Sequence, residues 1–215
     1  MAGPERPPMT PSKRLFDLIL LALLFPILGT VLVLLLGVMF LRGERAFFYI
    51  SERMKSPTEP FMLIKLRTMT PDAADSGVTG ADKGDRITPM GRLLRRGRLD
   101  ELPQMWNILK GDISFVGPRP PLRSYVERFP DIYEQVLINR PGVTGMASLF
   151  YYAHEERLLA RCKTAAETDA TYGRVCVPAK ARLDLIYQAR WSLCLDAWLL
   201  LKTTQKILRL KRKRR

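Results

Sequence analysis

From Leu18 to Leu41 the chain carries no charged side chain. A helix of that length, rising about 1.5 Å per residue, reaches across a hydrocarbon core of roughly 30 Å. A secretory signal would have an apolar region of about 7–15 residues and a small-residue cleavage site. This run is longer and ends in Met39-Phe40-Leu41-Arg42. A helix that crosses the bilayer and one that enters and returns on the same face both fit the length. Three features favour the second. Lys13 and Arg14 precede the run and Arg42 and Arg45 follow it, so the positive-inside tendency draws both ends to the cytoplasm. Pro26 lies inside the run, with Gly29 after it; proline removes a backbone donor and crowds the preceding turn, which predicts a bend. Asp17 lies three residues from Arg14, where a pair lowers the cost of a carboxylate near lipid.

Across the 215 residues, Lys and Arg exceed Asp and Glu by 14 charges. Such an excess predicts an anionic partner: nucleic acid, acidic phospholipid or a phosphorylated substrate. Cys162, Cys176 and Cys194 are odd in number and widely spaced, which fits a reducing compartment and small buried side chains better than a disulfide framework. Cys162, Cys176 and His154 lack the paired spacing of a zinc site.

Beyond the apolar run, turn signals at Ser56-Pro57 and Glu59-Pro60 lead into Phe61-Met62-Leu63-Ile64-Lys65-Leu66-Arg67-Thr68-Met69. That short apolar stretch predicts a strand with Lys65 and Arg67 on one face. Asp72 to Lys83 is rich in Gly, Asp, Ser and Ala and reads as a surface loop. Thr88 to Arg98 carries Arg92, Arg95, Arg96 and Arg98, either a solvated face or an anion contact.

Asp100 and Glu101 follow at once. Leu102, Trp106 and Leu109 have i, i+4, i+7 spacing, Pro103 suits a first turn, and Lys110-Gly111 supplies a stop. The two carboxylates are therefore expected at the positive end of a helix, where phosphate also binds. An Asp at that place can simply cap the helix. Gly117-Pro118-Arg119-Pro120-Pro121 fixes the backbone on both sides of one arginine, which lowers the entropy lost when its guanidinium forks onto a phosphate. Leu122 to Asn139 is expected to form an amphipathic helix ending before Pro141. Trp191, Leu195, Trp198 and Leu199, followed by Lys206 and Arg209 through Arg215, predict an interfacial helix on anionic lipid. The basic end can also attract nucleic acid nonspecifically, but no nucleic-acid module accompanies it.

Several segments stand in fixed order: Ser12-Lys13-Arg14-Leu15-Phe16-Asp17, the proline-broken apolar run, Lys65-Leu66-Arg67-Thr68-Met69, Asp85-Arg86-Ile87-Thr88, Gly91-Arg92-Leu93-Leu94-Arg95, Leu99-Asp100-Glu101-Leu102-Pro103-Gln104, Asn107-Ile108-Leu109-Lys110-Gly111-Asp112, Gly117-Pro118-Arg119-Pro120 and Arg140-Pro141-Gly142-Val143-Thr144-Gly145. Together, over roughly Ser12 to Gln205, they resemble the bacterial sugar transferases, small monotopic phosphoglycosyl transferases.

The resemblance implies transfer of a sugar 1-phosphate from a UDP-sugar to polyprenyl (undecaprenyl) phosphate, releasing UMP, as a first membrane step of glycoconjugate biosynthesis. It implies Asp100 as nucleophile, through an aspartyl phosphosugar, and Glu101 as its partner, acting as base or as structural helper. It also implies magnesium as cofactor, touched by Asp100. By the same resemblance Arg95 and Arg119 clamp phosphate, Lys65 and Arg67 belong to the same basic floor, and Pro26 breaks the re-entrant helix. The implied fold is α+β and mostly helical: an N-terminal re-entrant membrane helix packed on a small catalytic domain with interfacial helices and a short strand region. The corresponding layout is a tail over residues 1–11, a membrane helix-hairpin over 12–42, a catalytic domain over 43–190 and an interfacial helix with polybasic tail over 191–215. The implied location is the cytoplasmic face of the bacterial inner membrane, on anionic phospholipid and without nucleic acid. The C-terminal helix could also pair two chains as a homodimer.

After Gly145 the chain reads Met146-Ala147-Ser148, where relatives commonly place a glutamine, and residues 154–180 follow no assignable pattern. That region is expected to shape the sugar pocket, with His154 structural or pocket-lining. Two competing readings are a noncatalytic membrane-anchored scaffold and a transferase that passes the sugar alone and releases UDP. The scaffold accounts for Lys206 to Arg215 and the anchor, but gives no reason for two carboxylates among arginines beside a proline-fixed arginine.

Overall fold

The computed structural model describes residues 10–70 and 85–212, with side chains described through Leu208. The loop expected over Asp72–Lys83, residues 1–9 and the side chains of the basic end from 209 onward lie outside the described residues.

Helix α1, Pro11–Leu41, opens with Thr10 capping the Lys13 amide and is long and apolar enough to cross a membrane. It runs as one continuous helix over the stretch where a re-entrant helix-hairpin with a bend at Pro26 was expected. Pro26 sits inside it, and the Thr30 hydroxyl donates to the Pro26 carbonyl at 2.7 Å, a back-bond of the kind that bends helices. One stripe of α1 faces the rest of the protein. Lys13, Asp17 and Leu21 are buried at one end, Leu20, Leu24, Leu28 and Leu32 pack on the main core, and Met39 is buried at the other end against Leu66, Met90 and Leu94. The remaining faces expose Leu15, Ile19, Leu23, Phe25, Ile27, Val33, Leu34 and Phe40.

Strands β1 (Phe48–Met54) and β2 (Pro60–Leu66) form an antiparallel hairpin with Tyr49 opposite Lys65. Helix α2, Pro89–Arg96, is capped by the Thr88 hydroxyl. A 3-10 turn, Leu99–Glu101, and helix α3, Gln104–Lys110, follow. Strand β3, Ser114–Val116, pairs in parallel with β4, Gly142–Thr144. Helices α4 (Arg123–Arg128), α5 (Pro130–Val136), α6 (Met146–Phe150), α7 (Tyr152–Leu159), α8 (Ala165–Thr171), α9 (Val177–Ala189) and α10 (Leu193–Arg212) complete the described chain, with one π turn, Tyr172–Cys176, between α8 and α9. The observed class is thus mostly helical with two small sheets and one long apolar helix.

Buried polar groups tie α1 down. The Lys13 ammonium meets Asp196 at 2.7 Å and the Tyr187 hydroxyl at 3.0 Å, and Tyr187 and Trp191 both donate to Asp196. Asp17 accepts from the Ser114 hydroxyl and the Phe115 amide. Arg14 caps the carbonyls of Ile108 and Leu109 at the end of α3. Hydrogen bonds of this kind rigidify the fold and offset part of the cost of burying the charges, while Asp17 Oδ2 stays buried without a partner.

The buried side of α3 is Gln104, Met105, Asn107 and Ile108; of the three spaced apolar residues, Leu102 is buried just ahead of the helix, while Trp106 and Leu109 are 56% and 49% exposed. Three expectations change. The expected helix over Leu122–Asn139 is two helices, because Pro130 starts α5 and forces Phe129 out of helical geometry. Trp191 is engaged inward with Asp196 rather than free as an anchor, whereas Trp198 is exposed and stacks on Phe150. Cys194 is exposed, unlike buried Cys162 and Cys176.

Candidate active site

Asp100 and Glu101 lie in the 3-10 turn between α2 and α3, not in the first turn of α3. The turn is set by Arg98, whose φ of 53° places a non-glycine residue in the left-handed region, a conformation that persists where surrounding contacts over-determine it. Here they do: the Arg98 guanidinium donates to Glu101 Oε2 from Nε at 3.1 Å and from Nη2 at 2.7 Å, and Nη2 also reaches the Val143 carbonyl at 3.4 Å.

Glu101 is buried and shared among three cations. Beside Arg98, Lys65 of β2 and Arg119 each reach Oε1 at 3.3 Å. Burial alone would push the Glu101 carboxyl upward, but Arg119, Arg98 and Lys65 hold it far below the usual carboxylate range. Asp100 is different. It has no hydrogen bond or ion pair among the described residues, and burial together with the neighbouring Glu101 pushes its carboxyl above the ordinary value, against the pull of Lys65, Arg95 and Arg98. Lys65 is pulled down to about 8 by burial and by Arg119, with Glu101 and Asp100 acting the other way. The Arg119 guanidinium, 40% exposed, is raised above its ordinary value because Glu101 outweighs its partial desolvation.

The surrounding elements fix these side chains. Asn107 of α3 accepts from the Ile64 amide and donates to the Met62 carbonyl, fastening β2 and hence Lys65 beside the turn. Gly91 lets α2 lie directly on Thr68: a Cβ there would fall 2.1 Å from the Thr68 carbonyl oxygen. The Thr68 hydroxyl in turn accepts from Arg95 Nε at 2.8 Å, which leaves the far end of that guanidinium for a ligand. Gly117, just before Pro118-Arg119-Pro120, packs so closely on Arg140 that a Cβ would meet its carbonyl oxygen at 2.3 Å.

Lys65, Arg67, Arg95, Asp100, Glu101 and Arg119 all line one cleft of about 1870 Å³. All six residues singled out in the sequence are therefore brought to one place, and Pro26 lies apart in α1. Arg67 is partly committed to the Phe48 carbonyl. His154 is exposed beside Tyr151 and does not line the cleft. Arg98 stood in the arginine cluster without a role of its own; its i, i+3 spacing to Glu101 was the available signal. Arg53, Lys180 and Lys206 also line the cleft, and nothing in their local sequence marked them.

No group of three or more His, Cys, Asp or Glu side chains among the described residues is arranged to hold a metal ion. Asp100, with both carboxylate oxygens unpartnered, fits a hard cation that takes one protein carboxylate and completes its shell with water and substrate phosphate, as magnesium does.

A cleft with one free carboxylate, one caged carboxylate and several cations suits an anionic, phosphorylated substrate. The family described as bacterial sugar transferase matches residues 9–210. The chain is 30% identical over 200 residues to a UDP-N-acetylgalactosamine-undecaprenyl-phosphate N-acetylgalactosaminephosphotransferase of Aeromonas hydrophila, covering 91% of this chain and 43% of that protein. It is 32% identical over 203 residues to a UDP-glucose:undecaprenyl-phosphate glucose-1-phosphate transferase of Caulobacter vibrioides, covering 91% and 69%. It is 32% identical over 198 residues to the uncharacterized sugar transferase EpsL of Bacillus subtilis, covering 91% and 87%. The chain thus spans less than half the length of the Aeromonas relative. Over nearly all of its own length, it belongs to the bacterial sugar transferase family.

Proposed function

We propose that this protein transfers a sugar 1-phosphate from a UDP-sugar to polyprenyl phosphate, with Asp100 as nucleophile. The observation that carries the reading is the contrast at the dyad: Asp100 is unpartnered and Glu101 is caged by Lys65, Arg98 and Arg119.

A carboxylate approaches a diphosphate only when cations offset the repulsion. Arg95 and Arg119, with Lys65 at the base, hold the donor's phosphates. A carboxylate oxygen of Asp100 attacks the sugar-linked phosphorus, the bond from that phosphorus to the bridging oxygen breaks, and the oxygen leaves with UMP. An oxygen of the polyprenyl phosphate then attacks the phosphorus of the aspartyl phosphosugar. The bond to Asp100 breaks, which restores the carboxylate and yields the polyprenyl diphosphate sugar. Glu101 stays ionised throughout and positions its three cations; a carboxylate held so far below its usual range is a poor base. Magnesium bound at Asp100 would supply further charge neutralisation on the diphosphate.

The acceptor's phosphate sits at headgroup level, so the dyad must too. The reading that α1 dips into the membrane and leaves both ends on the cytoplasmic face of the inner membrane is supported by its packing. At about 1.5 Å per residue, Lys13 and Met39 would lie roughly 40 Å apart along a straight helix, more than a hydrocarbon core is thick, yet both are buried against the same domain. Exposed Trp106 of α3 suits an interfacial position.

The test is product analysis with purified protein, magnesium, polyprenyl phosphate and a panel of UDP-sugars. Release of UMP with formation of a polyprenyl diphosphate sugar is expected; release of UDP, or no turnover with any donor, overturns the reading.

A further inference from the structure

A second polar centre lines the same cleft and takes no part in the chemistry at Asp100. Lys180 of α9 meets Glu155 of α7 at 2.9 Å and the Tyr172 hydroxyl at 3.1 Å, with the Tyr172 ring 5.0 Å from its ammonium. An ammonium has three N–H donors, so one is left over. Glu155 keeps one carboxylate oxygen without a partner. Asp184, one turn further along α9, is 7% exposed, and its Oδ1 has no hydrogen-bond partner. An orphaned buried acceptor calls for a donor that a ligand would bring. Tyr172 opens a π turn, a rare insertion found frequently at functional sites.

The charges at this centre nearly cancel, because Lys180 is matched by Glu155 and burial pushes Asp184 up to about 7. A phosphate gains little here, whereas it gains much at Arg95 and Arg119. A neutral ligand rich in hydroxyls fits: each hydroxyl both donates and accepts, and the centre offers one N–H beside two carboxylate oxygens. Position narrows the choice within a nucleotide sugar. Arg119 lies within electrostatic reach of Glu101 and also of Glu155 and Tyr172. The sugar ring hangs directly on the phosphorus that Asp100 attacks, while the uracil ring is separated from it by a second phosphate and a ribose.

We propose that Glu155, Tyr172, Lys180 and Asp184 form the subsite that binds the hydroxyls of the donor's sugar. The assignment rests on the reading of the donor as a UDP-sugar. It makes the stretch from α7 to α9, rather than the dyad, the part of the chain that selects the sugar.

The experiment compares binding of UDP with binding of UDP-glucose, UDP-galactose and UDP-N-acetylgalactosamine to the full chain in detergent or nanodiscs. Wild type, Lys180→Met and Tyr172→Phe are measured, with thermal unfolding of each recorded alongside. UDP carries the uracil, ribose and phosphates but no sugar, so its affinity should stay within about twofold in both variants. The best-bound UDP-sugar should weaken about ten- to hundredfold in Lys180→Met and about threefold or more in Tyr172→Phe. Tyr172→Phe removes only one hydroxyl and decides the matter if Lys180→Met does not fold. Equal weakening of UDP and UDP-sugar, or no weakening of either, overturns the subsite. A wild-type protein that binds UDP but none of the three UDP-sugars overturns both the subsite and the donor reading; sugar binding that is indifferent to both substitutions overturns the subsite alone.

Discussion

Glu101 is held by three cations at 2.7 to 3.3 Å, and Asp100, the next residue back, is held by none. One peptide bond separates a carboxylate held by three cations from one left without a hydrogen bond or ion pair among the described residues. Both residues sit in the 3-10 turn that follows the left-handed Arg98, and of the two Arg98 itself grips only Glu101.

Replacing Glu101 by Gln should leave Lys65, Arg98 and Arg119 crowded without their counter-charge. Breaking a buried pair in this way costs about 3 kcal/mol, and turnover should fall at least tenfold, because the arginines no longer hold their places. The pH dependence of unfolding has a definite sign. Glu101 lies below its unfolded value of 4.5, so the stability it contributes is complete above that pH and is lost as the pH falls below it. Thermal unfolding from pH 7 down to pH 3 should show a smaller acid loss in the Gln variant than in wild type.

Lys65 should set an alkaline limit on activity. Its folded value is about 8, and its charged form is the one that helps hold phosphate. The kcat/KM profile, which reports the free enzyme, should therefore decline as the pH rises through about 8. In Lys65→Arg, whose guanidinium stays protonated, that limb should move out of the accessible range.

Lys13 and Asp196 should behave as a latch between α1 and α10. Both side chains are buried at 2.7 Å. Lys13→Met strands a buried carboxylate and should cost about 3–5 kcal/mol. Adding Asp196→Asn should recover part of that loss, a coupling of about 0.5–3 kcal/mol readable in a double-mutant cycle of thermal stability in detergent.

Much of the site was legible because its residues sit in short, ordered segments: Lys65 and Arg67 alternate on and beyond one strand, and Arg119 is bracketed by prolines. The long apolar helix was legible for the same reason, since its composition leaves few other fates. What escaped was set by contacts between distant segments. Lys13 and Asp196 are 183 positions apart, and no local pattern announces that Trp191 turns inward to serve that pair. The spacing of Leu102, Trp106 and Leu109 marked a helix but not its faces: Leu102 is buried just ahead of α3, whereas Trp106 and Leu109 are exposed. Pro130 was visible, yet the apolar rhythm on either side of it suggested one helix in place of α4 and α5. The polar centre at Lys180 draws on α7, the π turn and α9, and so is visible only once the chain is folded.

The most direct measurement is intact-protein mass spectrometry after incubation with a UDP-sugar and magnesium, without the polyprenyl acceptor. Wild-type protein should gain the mass of one phosphosugar, mapped by peptide sequencing to Asp100 and discharged when polyprenyl phosphate is added. Asp100→Asn should gain none and release no UMP, whereas Glu101→Gln should still be labelled, more slowly. Turnover retained in Asp100→Asn, or a phosphosugar mapped to another residue, would contradict the assignment of Asp100 as the nucleophile.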